Sequence, residues 1–562
     1  MNKHFFLTHN AKKYALYIVL FASALFLFFI NFFGLDFTDS FYHLNNIEHS
    51  QEKYMTFLSY TLLGFWTHFF GDTLISLRIF NSTVTLLVVF IPLLFFRKKI
   101  NNQTILFSAI AIFILTSTHS NVVGYDIITR LFLILVFALF VKFVHTGKTY
   151  FLILVGLFSI LLTGARLQNI IIVPILLSLY FIHYYFKALK NNKRVGTYVN
   201  TFIKHSIIYV LLIAALGITG LLVFFNDPSH FLNAIYAIIQ NLIHSSSPHN
   251  SHSFRALLDA YIIDFIKLLQ YLGFLFFIKY LHSFKVKSQV AQYVLSGFTV
   301  LLFAFFTFVG VIYVDKNFSF SPYYASIVLF IFLISSRQSI HEKRYDQLFL
   351  FITIVFFSLI PPFGSNTGLF KYFPFLVSVF PVTTLFYRYR ISRTAIIYLM
   401  IILLYASYTR LNHTNEDGRL TSHIQTNTTV DIPKLKHIRT SPERVQYLEN
   451  VYSDYENDFS EQTEILFFGR VSHIVYYITG KKPLYKQTFW MQPDNPGEIA
   501  KAERVIKNKR PVVYYMPGYP DKENREKLKQ EYSPFEKMVI SLGYIEKNKG
   551  QYKRYEPQPI SP

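Results

Sequence analysis

Two carboxylates three residues apart, Asp36 and Asp39, stand in the stretch Gly34-Leu35-Asp36-Phe37-Thr38-Asp39-Ser40-Phe41-Tyr42-His43, just after the first long apolar run of the chain. If Asp39 opens a helix, both acids could project toward one face at a membrane boundary. Partial burial there makes a carboxylate a competent general base. The alternative is that Asp39 caps the amphipathic helix that follows, and the two roles can coexist.

Other polar residues fall at the edges of apolar runs. Arg78 opens the second run, Tyr125-Asp126 sits just before the fourth, and Gly164-Ala165-Arg166-Leu167-Gln168 forms a tight turn between the fifth and sixth. An isolated charge at such depth is costly unless it faces a cavity or a partner. A guanidinium matches phosphate oxygens in a bidentate way, so Arg166 is a candidate for an anionic substrate; the alternative is an interfacial arginine reaching for water. The loop Pro361-Pro362-Phe363-Gly364-Ser365-Asn366-Thr367-Gly368 offers Ser365 and Asn366 as partners for sugar hydroxyls, or is a plain turn. His249 and His252 in the loop 226–264 have a spacing that could touch a metal, but a solvated loop is the simpler reading. With no cysteine in the chain, disulfides, thiolate metal sites and a cysteine nucleophile are excluded.

The elements that must position these residues are membrane helices. Of 562 residues, 52% are hydrophobic and only 15% charged, and mean hydropathy is +0.34, more apolar than one globular core requires. Apolar runs fall at 14–33, 79–96, 104–117, 128–144, 150–164, 169–186, 206–225, 259–279, 291–313, 323–335, 348–361, 374–387 and 394–409, about thirteen crossings. The first is long enough to span and lacks a cleavage site after it, so it reads as a helix rather than a removed signal. The net charge of +22 lies largely in alternate loops (97–99, around Lys148, 187–194, 279–287, 337–344 and 388–393). Retention of basic loops inside then places the N-terminus in the cytoplasm and the C-terminus outside a bacterial inner membrane. The charge thus reports topology and membrane lipids as partners rather than nucleic acid.

The expected organisation is a transmembrane domain over 1–409, with an external first loop over 35–78, and an external, periplasmic α/β domain over 410–562. In the latter, Ser441-Pro442-Glu443 is a helix start. Strands are predicted at 465–468 and 512–516, helices at 471–478, 498–507 and 521–542, and a hairpin at 544–555. No glycine-rich phosphate loop or metal-ligand cluster occurs there, which gives this part a supporting role.

The acidic first loop, the amphipathic segments beside the membrane, about thirteen crossings and the small external C-terminal domain resemble the C-type glycosyltransferase superfamily (GT-C fold), nearest to bacterial aminoarabinose transferases and protein O-mannosyltransferases. The family's first-loop signature, an Asp-Glu pair followed by a tyrosine, falls on Asp39, Ser40 and Tyr42, with Ser40 departing from it and Asp36 as a substitute acid. The resemblance implies transfer of a sugar, with inversion, from a polyprenyl-phosphate donor to a glycan, lipid or protein acceptor. It implies Asp39 or Asp36 as catalytic, with Arg78, Tyr125, Asp126, Arg166, Ser365 and Asn366 around the substrates. No cofactor is certain and a divalent metal is left open. The rival functions are a polytopic transporter or lipid flippase, and an O-antigen polymerase or ligase.

Overall fold

The structure is a computed structural model that describes residues 9–37, 39–48, 56–118, 124–224, 229, 236, 254–284, 288–309, 321–363, 368–386, 398, 401, 404, 412–416, 419–458, 464–469, 471–482, 484, 496–516, 533–548 and 552–558. The membrane part comprises α1 (His9–Phe29), α2 (Asp39–Glu48), α3 (Phe57–Phe70), α4 (Leu74–Phe95), α5 (Asn102–Thr118), α6 (Tyr125–Thr146), α7 (Thr149–Ala165), α8 (Ile172–Lys190), α9 (Gly196–Phe224), α10 (Phe254–Ser283), α11 (Gln289–Val309), α12 (Ser321–His341), α13 (Tyr345–Ser358) and α14 (Phe373–Thr383). Twelve of the thirteen apolar runs are helices; the run at 394–409 lies almost wholly outside the described residues. Among the described residues, seven helices are long and apolar enough to cross a membrane, and four more are shorter apolar helices. The chain is a polytopic, multi-pass α-helical membrane protein.

Helix α6 is the hub. Its middle, residues 131–141, is apolar on every face, as a helix wrapped by other helices must be, and it packs against α4, α7, α3 and α14. Phe137 at its middle meets Phe357 and Phe375 edge-on, with ring centroids 5.4 and 5.6 Å apart. By contrast α9 leaves Ile207, Leu211, Ile218 and Leu222 exposed, because its solvent is lipid.

Toward the C-terminus, β1 (His413–Glu416) and β2 (Arg419–Ser422) form one antiparallel pair, β3 (Thr428–Thr429) and β4 (Arg439–Thr440) another. Then come α15 (Pro442–Asp458), β5 (Ile465–Gly469), α16 (Ser472–Thr479), α17 (Pro496–Lys509), β6 (Val512–Met516), α18 (Pro534–Ser541), β7 (Tyr544–Asn548) and β8 (Lys553–Pro557). The last four strands make a mixed sheet of order β5-β6-β8-β7, parallel between β5 and β6 and antiparallel elsewhere. Both predicted strands, the hairpin and the helix starting after Ser441 are where the sequence puts them. Of the helix expected over 521–542, only Pro534–Ser541 is described as helix, and residues 517–532 lie outside the described set. Strands β1 to β4 are two to four residues long, too short to leave a periodic signal. Buried hydrophobic residues of 430–478, except Leu466 and Phe468 on the other face of β5, belong to the same hydrophobic cluster as the helices, so packing continues from the bundle into this segment.

Candidate functional site

The site begins where α1 gives out. A 3-10 turn, Ile30–Phe32, ends the helix, and the chain turns at Gly34 with φ +80°, a conformation that glycine adopts without strain. A Cβ at Gly34 would lie 2.4 Å from Thr414 Oγ1, so the approach of the C-terminal segment also requires glycine there. Asp36 is buried, and its Oδ2 accepts from Ser40 N at 3.3 Å and Ser40 Oγ at 3.2 Å. Helix α2 does start at Asp39, and a capping bond to its first turn comes from Asp36. The side chain of Asp39 lies outside the described residues.

One turn along α2, His43 enters the protein. Its Nδ1 is 2.7 Å from the hydroxyl of buried Tyr60 on α3, and its ring meets Tyr125 edge-on at 5.4 Å. The ring presses on Gly124, where an added Cβ would sit 2.8 Å from His43 Cδ2. Gly124 is the residue immediately before α6, so the hub helix begins against this imidazole. Ser59 of α3 donates to the carbonyls of Ala165 at 2.9 Å and Tyr125 at 3.3 Å, fastening α3 to the ends of α7 and α6.

Beside them Asp126 pairs with Lys371 (Oδ2 to Nζ, 3.1 Å). Lys371 also reaches the Tyr125 hydroxyl at 3.4 Å and lies 5.2 Å over its ring. Lys371 is delivered by a 3-10 turn, Leu369–Tyr372, whose first amide donates to Asp264 Oδ2 at 2.8 Å. The upstream arm of the same loop is held by Arg166, which donates to the carbonyls of Pro361 (2.6 Å) and Phe363 (3.0 Å), and by Tyr261, which donates to that of Pro362 (2.5 Å).

These charges set protonation. Loss of water around His43 holds its pKa down to about 4; the Asp126 and Asp36 carboxylates oppose that shift and the Lys371 ammonium adds to it. The imidazole is therefore neutral at pH 7. Burial pushes the Tyr60 hydroxyl well above the ordinary phenol range, which keeps it a donor. A neutral imidazole, tyrosine hydroxyls and a carboxylate with its ammonium can together bind hydroxyls, move a proton and neutralise an anion.

Of the residues singled out from sequence, Asp36, Tyr125 and Asp126 converge here around His43. Arg166 stands next to them, 3% exposed, with both terminal nitrogens on main-chain carbonyls of the 361–363 arm. Arg78 is behind the site, donating to the carbonyls of Asn31 and Gly34, each at 2.8 Å, where it fixes the exit of α1. Ser365 and Asn366 lie outside the described residues, as do the loop histidines His249 and His252. His43, Tyr60 and Lys371 were not singled out from sequence. His43 closes the acidic stretch itself, one helical turn after Asp39, a spacing that could have flagged it; nothing local marks Tyr60 or Lys371.

No family model matches the chain, and no curated protein matches it. Among solved structures, the crystal structure of ArnT from Cupriavidus metallidurans bound to undecaprenyl phosphate aligns with 96% of this chain and 97% of that one, at 10% sequence identity and a TM-score of 0.36. At that identity and score the similarity by itself decides neither chemistry nor substrate.

Proposed function

We propose that the protein is a membrane glycosyltransferase that moves a sugar from a polyprenyl-phosphate donor to an acceptor at the external face of a bacterial inner membrane. The observation that carries this reading is the convergence of the acidic first loop, through Asp36 and His43, with the Asp126–Lys371 pair at the opening turn of the hub helix. Carboxylates beside a lysine, at the end of a membrane helix, suit a substrate whose reacting carbon carries a phosphate and whose tail stays in lipid. In the same reading the N-terminus is cytoplasmic, residues 1–409 form the transferase domain, and residues 410–562 lie outside with the first loop.

In the reaction, the acceptor hydroxyl attacks the anomeric carbon from the face opposite the phosphate. The new carbon–oxygen bond forms as the bond to the phosphate oxygen breaks, with inversion. Asp39, one turn ahead of His43 on α2, takes the hydroxyl proton, while neutral His43 and Tyr60 orient the incoming group by hydrogen bonds. Lys371 neutralises the departing polyprenyl phosphate. Arg166 acts on the same step indirectly, by holding the arm that leads to Lys371.

The test is release of polyprenyl phosphate from a synthetic polyprenyl-monophosphate sugar by purified protein in detergent, with a lipid acceptor supplied. Lys371→Ala should raise the donor KM by roughly 10–100-fold, the value of one charge-assisted contact of about 1.5–3 kcal/mol. No release with any lipid, glycan or peptide acceptor would count against the reading.

A further inference from the structure

Two buried arginines from distant parts of the chain grip the four residues Gly34–Phe37 that open the acidic loop. From the membrane side, Arg78 holds the carbonyl of Gly34 at 2.8 Å. From the C-terminal side, Arg444 on α15, 4% exposed, donates to the carbonyl of Leu35 at 2.6 Å, with its guanidinium 4.7 Å over the ring of Phe37. The peptide between those contacts belongs to Asp36.

The C-terminal segment adds further ties at both ends of the first loop. Gly34 N donates to the Arg439 carbonyl at 2.8 Å, and Thr414 Oγ1 donates to that of Phe33 at 3.2 Å. On α2, Asn45 donates to the His473 carbonyl at 2.7 Å, and Phe41 packs on Tyr477 with centroids 5.4 Å apart. At the far end of the loop, Lys434 pairs with Asp72 at 2.9 Å and Tyr477 donates to the Asp72 carbonyl at 3.3 Å.

From these contacts we infer that the described residues of 412–479 are a clamp that holds the first loop in its reactive shape, with Arg444 as the positioning residue for the Asp36–Asp39 stretch. A buried guanidinium bonded to one main-chain oxygen and stacked on the next aromatic ring fixes both the position and the tilt of the intervening peptide. An error of about 1 Å in a reacting group can cost about 100-fold in rate, so a residue that touches no substrate can still set turnover. The inference rests on the proposed transferase reading for its kinetic arm only.

The experiment compares wild type with Arg444→Ala in detergent by hydrogen exchange and by donor turnover, each with and without added guanidinium ion. Thr414→Val, which keeps shape and removes one hydroxyl, is the milder second variant should Arg444→Ala fail to fold. The expected result is faster exchange of amides 35–40 in the variant and a kcat lower by roughly 10–100-fold with donor KM within about twofold. Guanidinium should restore both, and Thr414→Val should show the same changes on a smaller scale. Unchanged exchange over 35–40 in folded variants would overturn the clamp, as would a wild-type kcat in Arg444→Ala. Wild-type protein without turnover would instead refute the transferase reading, while the exchange comparison would still decide the clamp.

Discussion

His43 shows how the site's chemistry depends on what surrounds one side chain. Desolvation lowers its pKa to about 4, below the ordinary value near 6.5. Between those values the unfolded chain binds a proton that the folded protein refuses, so stability should rise with pH across about pH 4 to 6.5 and be independent of this group above it. Thermal unfolding in detergent, followed over that range, should show a steeper slope for wild type than for His43→Asn. Equal slopes would place the imidazole in water rather than against Gly124 and Tyr60. At this scale the sequence exposed the acids but not their partners. Asp36 and Asp39 stand out because charge is rare next to an apolar run, whereas Tyr60 looks like one more interfacial tyrosine among 40. Lys371 acquires meaning only when the chain returns to Asp126.

Gly124 and Arg166 act on whole elements. A methyl group at Gly124 would meet His43 at 2.8 Å and push apart α2 and the start of α6. Gly124→Ala should therefore destabilise by about 1–3 kcal/mol, and the double variant with His43→Ala should recover most of that loss. Additive losses would mean that the two residues do not press on each other. Arg166→Ala frees the 361–363 arm by removing two charge-assisted bonds, each worth about 1.5–3 kcal/mol. Loss of thermal stability, with weaker donor use following from it, is the expected outcome. Unchanged stability with lost donor affinity would show instead that the guanidinium binds phosphate directly. Element boundaries were largely legible. Bilayer thickness fixes the length of an apolar run, and the start of α2 follows from its acidic residues. The anchors of the 361–371 arm were not legible, because Arg166 reaches it from the end of α7 and Tyr261 and Asp264 from α10, both far from it in sequence.

For the whole molecule, the alternation of basic loops makes a topological prediction. A reporter fused near Lys190 should read as cytoplasmic and one after Tyr555 as external; signals from the same side would refute an odd number of crossings. The close contacts of the C-terminal segment with the first loop require both to share one side. No composition or periodicity argument could have shown that Arg444 reaches Leu35, since a contact between the ends of a chain leaves no local pattern.

The central claim is that a first-loop carboxylate performs the transfer, and the most direct measurement is sugar transfer by purified Asp39→Asn beside wild type and Asp36→Asn. Asparagine keeps the size of the side chain and caps a helix about as well as aspartate, so folding should be preserved. A general base contributes roughly 10²–10⁴-fold to rate, and the account predicts a stable Asp39→Asn protein slower by that factor. Transfer at nearly the wild-type rate by both asparagine variants would contradict it and move the chemistry away from the first loop.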